Sequence, residues 1–293
     1  MHSYEYHRAG SLKEACRLLD QLPQAWILAG GTDLVVDIDT GLRRAKHVVS
    51  IRGIAELERI VVRDRHVCIG AGCTATTVER SDVVREHLSE LAAMIVKFAS
   101  PQIRNTATLA GNICSAVACG DFPPMLSALG ASVELRSTGG GRVVALEDFF
   151  LGNRDTVRQA REMITQILIP FKPDRAAASY QKFRRRASNS LGVASVAAYL
   201  EMSGDTCRNA RIVLGAVAPV PLFAVKASQS LLDTRADEAA IETASKLARQ
   251  EARPITDLRA TDEYRRELVQ VLTRRALREA CAAVRGSREA SDE

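Results

Sequence analysis

Two stretches of this chain combine glycine, hydroxyl and carboxylate residues in a way that suits a phosphate-bearing ligand. The first is Ile27-Leu28-Ala29-Gly30-Gly31-Thr32-Asp33-Leu34. A short apolar run ends there in two glycines, a hydroxyl and an acid. Glycine admits left-handed backbone angles and lets a ligand approach the N–H groups closely. Successive N–H groups in such a turn form a concavity for phosphate oxygens. The same residues also suit a plain tight turn. The second stretch is Thr106-Ala107-Thr108-Leu109-Ala110-Gly111-Asn112-Ile113-Cys114-Ser115. It is small, hydroxyl-rich and uncharged, between apolar neighbours. A buried loop must have its backbone groups satisfied, and a polar ligand is one way. Asp121 closes the segment just before Pro123.

A third stretch, Gly70-Ala71-Gly72-Cys73-Thr74-Ala75, matches the G-x-G-x-x-A dinucleotide fingerprint, with Glu90 downstream. That fingerprint needs the first strand of a parallel βαβ unit. The preceding residues read instead as half of a hairpin. No phosphate loop of the G-x-x-x-x-G-K-[ST] type and no G-x-S-x-G elbow occurs. The seven cysteines form no C-x-x-C pair, which argues against a disulfide framework, a zinc ribbon or a ferredoxin-type cluster. Cys114 and Cys119 read as small apolar fillers. His2, His7, His47, His66 and His87 fall in no metal-ligand spacing, so no metal is expected. Lys182 with Arg184, Arg185 and Arg186 is the one dense basic cluster. It suits a solvated strand edge, and it is the sole support for a nucleic-acid module.

The elements that must position these residues follow from periodicity and punctuation. Tyr4–His7, Ala25–Ala29 and His47–Ile51 read as strands. Ser11 and Glu14 form a capping box for a helix ending before Pro23. Leu57–Val62 and His66–Ile69 form a hairpin, and Thr77 to Phe98 is mostly helical. A long non-helical segment is expected from Pro101 to Asp121. A helix follows from Phe122 to Leu129, then a hairpin of Ser132–Arg136 with Gly141–Ala145, and a strand at Ile164–Ile169. Pro170–Asp174 reads as a linker, with a domain boundary near 175. Ser179–Phe183, Val193–Met202 and Cys207–Ala216 then read as three strands, followed by helices at Ala236–Glu251 and Asp262–Val284. Residues 286–293 read as a disordered tail.

The chain has 293 residues, 46% of them hydrophobic, enough for one large or two ordinary domains. No apolar run is long enough to span a membrane. The N-terminus lacks the apolar stretch of a secretory signal, so a cytoplasmic location is expected. The net charge of +5 is spread over interspersed acids and bases, which disfavours nucleic-acid binding.

Taken together and in order, these blocks resemble the FAD-binding subunits of the xanthine dehydrogenase and carbon monoxide dehydrogenase family of molybdenum hydroxylases. The blocks are AGGTDL at Ala29–Leu34, PQIRNTATLAGNICSAVACGDFPPMLSALGA at Pro101–Ala131, YQKFRRR at Tyr180–Arg186, VASVAAYL at Val193–Leu200 and RATDEYRRELVQVLTRRAL at Arg259–Leu277. The resemblance implies an α+β fold. An FAD-binding domain of the p-cresol methylhydroxylase type, with two α/β subdomains, would span 1–175. A small C-terminal domain with a three-stranded sheet and helices would span 176–285. It implies that Leu28, Ala29, Gly30, Gly31, Thr32, Asp33 and Leu34 form the first FAD loop. Phe98 and Ala99 would lie along the cofactor. Thr108, Gly111, Asn112 and Ser115 would grip the pyrophosphate and ribityl region. Asp121 would bond a ribose or ribityl hydroxyl, Ile164 would pack on the flavin, and Lys182 would place a cation near the isoalloxazine. Ala110 stands where the family usually has a glycine, and its methyl would shift that loop. The resemblance further implies a small subunit with two [2Fe–2S] clusters, a large subunit with a molybdenum–pterin cofactor, and a dimer of heterotrimers. The electron acceptor would be NAD, a quinone, oxygen or another oxidant. Alternatives on the same residues are a self-contained flavin oxidoreductase and a cofactor-free scaffold.

Overall fold

The computed structural model describes residues 3–186 and 189–289. The chain divides into two compact units. One comprises Met1–Ala116 and Ala131–Pro170, the other Val117–Gly130 and Phe171–Glu293. The sequence places one boundary near 175. In the structure the chain also leaves the first unit at Ala116 and returns to it at Ala131.

The first unit is built on two sheets. Glu5–Arg8, His47–Ser50 and Ala25–Leu28 form a parallel sheet with His47–Ser50 in the centre. Helix Leu12–Gln21 starts where Ser11 Oγ accepts from the Glu14 N–H. Its Ala15, Cys16 and Leu19 bury against Val49 and Ile51 of that sheet region. The second sheet is antiparallel, in the order Ile60–Arg63, His66–Gly70, Met163–Pro170, Ser132–Ser137 and Gly140–Ala145. His66–Gly70 therefore has antiparallel neighbours on both sides, and no parallel βαβ unit exists for the G-x-G-x-x-A match. Close packing explains Gly70 instead. A Cβ there would collide with the Leu57 carbonyl.

Two helical readings change. The stretch 77–98 splits into Ala75–Arg80, Asp82–His87 and Ser89–Val96, with Ser81 capping the middle piece. The segment expected to be non-helical contains Pro101–Arg104 and Leu109–Ser115. Ser100 and Thr108 cap them, and Pro101 occupies a first-turn position where its missing N–H costs nothing. Neither helix is long enough to show an amphipathic period, so periodicity does not reveal them.

The second unit is an antiparallel sheet in the order Ala176–Arg184, Gly192–Ser203, Thr206–Gly215 and Leu222–Phe223. The last strand has two residues and lies beyond Pro219 and Pro221, so the sheet is one short strand wider than the three expected. Ala194, Val196, Ala198, Leu200 and Met202 pack in one core with residues of helices Glu238–Glu251 and Asp262–Glu289. Helix Phe122–Ala128 packs on the central strands as well, and all seven of its residues are buried. With helices packed on it this way, Gly192–Ser203 shows nine consecutive buried residues instead of alternation. The last helix runs to Glu289, not to Val284, so 286–289 are helical and not a disordered tail. Residues 290–293 of that expected tail lie outside the described residues. No described helix is long and apolar enough to cross a membrane.

Candidate functional site

The two glycine-containing stretches meet in the first unit. Leu28 ends its strand, and Gly30 and Gly31 carry the chain into helix Leu34–Asp39. Gly31 has φ of +76°, the left-handed region. Gly30 lies so close to the second stretch that a Cβ would collide with the Thr106 carbonyl and come within 2.9 Å of Ala107 Cα. Further along both stretches, Ser115 Oγ donates to Asp33 Oδ2 at 2.5 Å. Thr108 Oγ1 accepts from the Gly111 N–H at 2.9 Å and so starts helix Leu109–Ser115. Ala110 is buried in the first turn of that helix. Left-handed alanines stand at both ends of the region, Ala99 at φ +43° and Ala116 at φ +46°. Strain of this kind gathers at ligand-holding segments.

Beside this junction is a cleft of about 450 Å³. Ala29, Thr106 and Thr108 line it together with Thr74, Arg8 and Arg52. Backbone at Gly53 and Gly72, four hydroxyls counting Tyr6, and two guanidinium groups are a donor set that fits a pyrophosphate dianion, with the Glu58 carboxylate the one anion on the wall. Motif spacing did not reveal Arg8, Arg52 and Thr74, because three separate chain segments bring them there. Phe98 is buried and Ala99 half-buried next to the turn into Pro101–Arg104. Ile164 is buried where the register of Met163–Pro170 shifts against its neighbour.

A second cluster lies within the other unit. Tyr180 and Lys182 are two apart on strand Ala176–Arg184 and so share a face. Asp121 precedes helix Phe122–Ala128 but caps none of its N–H groups. Its carboxylate instead binds Lys182 Nζ at 2.6 Å and accepts from the Tyr180 hydroxyl at 3.1 Å. The Lys182 and Asp121 side chains are only about a tenth exposed. Burial, then the negative charge of Asp121, pushes the Tyr180 hydroxyl well above its ordinary pKa, so it stays a proton donor at neutral pH. The Cys119 and Cys114 thiols are raised by burial and remain neutral. Of the basic cluster, Lys182 turns inward while Arg185 and Arg186 are exposed.

Residues 2–172 match the family model described as the FAD binding domain in molybdopterin dehydrogenase. The chain belongs to this family. Residues 178–280 match a second model, the CO dehydrogenase flavoprotein C-terminal domain. Among relatives, the carbon monoxide dehydrogenase medium chain of Afipia carboxidovorans is 34% identical, covering 96% of this chain and 97% of its own. The xanthine dehydrogenase FAD-binding subunit of Escherichia coli is 30% identical over 96% of this chain and 97% of its own. Among solved structures, reconstituted CO dehydrogenase from Oligotropha carboxidovorans superposes with a TM-score of 0.92 at 34% identity, over 96% of this chain and 98% of that one. Quinoline 2-oxidoreductase from Pseudomonas putida gives 0.91 at 28%, over the same shares. The α+β fold, with an FAD-binding domain followed by a C-terminal flavoprotein domain, is that of the molybdopterin dehydrogenase flavoproteins.

The expected site residues of this flavoprotein subunit fall into two groups. Leu28–Leu34, Phe98, Ala99, Thr108, Gly111, Asn112, Ser115 and Ile164 lie in the first unit, and Asp121 and Lys182 in the second. Tyr180 is the addition that the YQKF block contained without a role attached. Its spacing of two from Lys182 on a strand was the signal available.

Proposed function

We propose that this chain works as an electron relay within a molybdenum hydroxylase complex. It would receive electrons from the [2Fe–2S] clusters of a small partner subunit and pass them to an external acceptor. A large subunit would carry the molybdenum–pterin cofactor, and the assembly would be a dimer of heterotrimers. Bound FAD supplies the redox chemistry, converting between single-electron delivery and two-electron transfer. The observation that carries this reading is the junction of the two loops: Gly30 against Thr106, and Asp33 bonded to Ser115, beside a cleft with two arginines.

The protein's part is to hold, orient and tune. Backbone N–H groups of Gly30 to Leu34 and of the second loop hold the pyrophosphate, with Arg8 and Arg52 balancing its charge. Phe98, Ala99 and Ile164 supply apolar contact. Asp121 orients a hydroxyl of the cofactor chain, and Lys182 places positive charge where the ring system becomes more negative. Tyr180 fixes Asp121 by its hydrogen bond. No acid–base residue is required of the polypeptide.

The visible spectrum of the purified chain, with identification of any chromophore released on denaturation, tests the reading. A flavin spectrum without iron–sulfur absorption, and FAD in the supernatant, is the expected result. A colourless chain that also fails to take up added FAD overturns it.

A further inference from the structure

The edge strand Glu5–Arg8 has a second face. Tyr6 and Arg8 line the cleft described above. Glu5 and His7 alternate with them and stand on the opposite side of the strand. The parallel register places His47 of the neighbouring strand opposite Glu5, and the third strand offers only the methyl of Ala25 beside it. Three ligand atoms converge here. His7 Nε2 is 3.3 Å from His47 Nδ1, and Glu5 Oε2 is 3.2 Å from His47 Nδ1 and 3.8 Å from His7 Nε2. A point close to the plane of these three atoms is about 2.0 to 2.1 Å from each, the bond length that zinc takes to imidazole nitrogen and carboxylate oxygen. Among the described residues this is the one group of His, Cys, Asp and Glu side chains that meets such a criterion.

We propose that Glu5, His7 and His47 bind one divalent cation of the zinc class, with water as the fourth ligand. Two imidazoles and one carboxylate suit zinc better than magnesium or calcium, which take sets of six or more oxygens. The His47 side chain is 8% exposed and that of Glu5 69%, so the site is walled by protein on one side and open on the other. Without metal, the two ring nitrogens share a hydrogen bond, so one of them carries a proton. Binding zinc through both nitrogens requires that proton to move to the other nitrogen of its ring. The chain's histidine spacing hides the site because His7 and His47 are forty residues apart and only the parallel register joins them. The metal would clasp the edge strand, which pairs on one side only, to the centre of its sheet.

Equilibrium dialysis of the purified full chain, stripped with a chelator, against Zn²⁺ tests this, with Mg²⁺ as the control cation. One equivalent of zinc and no magnesium is expected, together with a higher melting temperature in zinc. His7→Gln and Glu5→Gln should each weaken zinc binding at least tenfold while leaving bound flavin and the metal-free melting temperature unchanged. A Cys114→Ser, Cys119→Ser double variant should bind as the parent does, excluding thiolate capture. No retained zinc, or retention unaltered in both the His7 and Glu5 variants, overturns the proposal and leaves a hydrogen-bonded His–His–Glu network.

Discussion

Lys182 and Asp121 form a pair with about a tenth of each side chain exposed, and breaking such a pair leaves an uncompensated charge. Lys182→Met should therefore destabilise the second unit by roughly 3 kcal/mol. On the proposed placement of Lys182 near the ring, it should also make the flavin midpoint potential more negative, because a positive charge is withdrawn from the reduced form. Potentiometric titration reads the second effect, and an unchanged midpoint would remove Lys182 from the tuning role. Tyr180→Phe keeps the cation and removes the hydroxyl that bonds Asp121 and Ser195; a loss of about 1 kcal/mol, with a smaller shift in midpoint, is expected. In the first unit Gly30→Ala has no room for its methyl against Thr106. Flavin content, read as the ratio of visible to protein absorbance, should fall to near zero while the far-ultraviolet circular dichroism persists. Lys182 and Gly30 stood out as candidates from motif blocks. Tyr180, Arg8 and Arg52 did not, because only strand alternation and the fold bring them beside the other candidates.

Among elements, those with a strong local signature were readable. Ser11 capping Leu12–Gln21, the hairpin around Asp64 and Arg65 with φ of +49° and +57°, and the apolar run of Gly192–Ser203 all announce themselves. Helix Leu109–Ser115 did not. Its glycine, asparagine, cysteine and serine have lower helix propensity than its leucine and alanine, and it is fixed by Thr108 at one end and by the Ser115–Asp33 bond at the other. Thr108→Val should consequently cost about 1 kcal/mol through the lost cap, measured by denaturant melts with and without added FAD. If the helix is held for the cofactor's sake, the loss should be larger in the FAD-bound protein. Helix Asp262–Glu289 was readable at its start but not at its end, since Gly286 and the polar residues after it suggest fraying where the helix in fact continues.

At the scale of the whole molecule, charge sets the acid limit. Burial opposes ionisation of Asp257, but the Arg259 N–H and the Arg265 and Arg259 side chains outweigh it and hold the carboxyl at about 2. Arg265 is itself buried and also bonds the Val193 and Ala216 carbonyls. A depressed folded-state value stabilises the fold above the unfolded value near 4 and is lost as pH falls towards about 2. Melting temperatures from pH 5 to 2 should drop more steeply for the parent than for Asp257→Asn, whose stability at neutral pH should be lower by on the order of 1 kcal/mol. The excursion of Val117–Gly130 into the second unit has a consequence for biosynthesis. On the ribosome, helix Phe122–Ala128 emerges with seven side chains that end up buried, yet the strands it packs on are still untranslated. At about 5 to 20 residues per second, Gly192–Gly215 follows only several seconds later. During that interval Phe122, Met125 and Leu126 have no native partner strands to cover them, which makes the nascent chain a client for holdase chaperones until its last third is made.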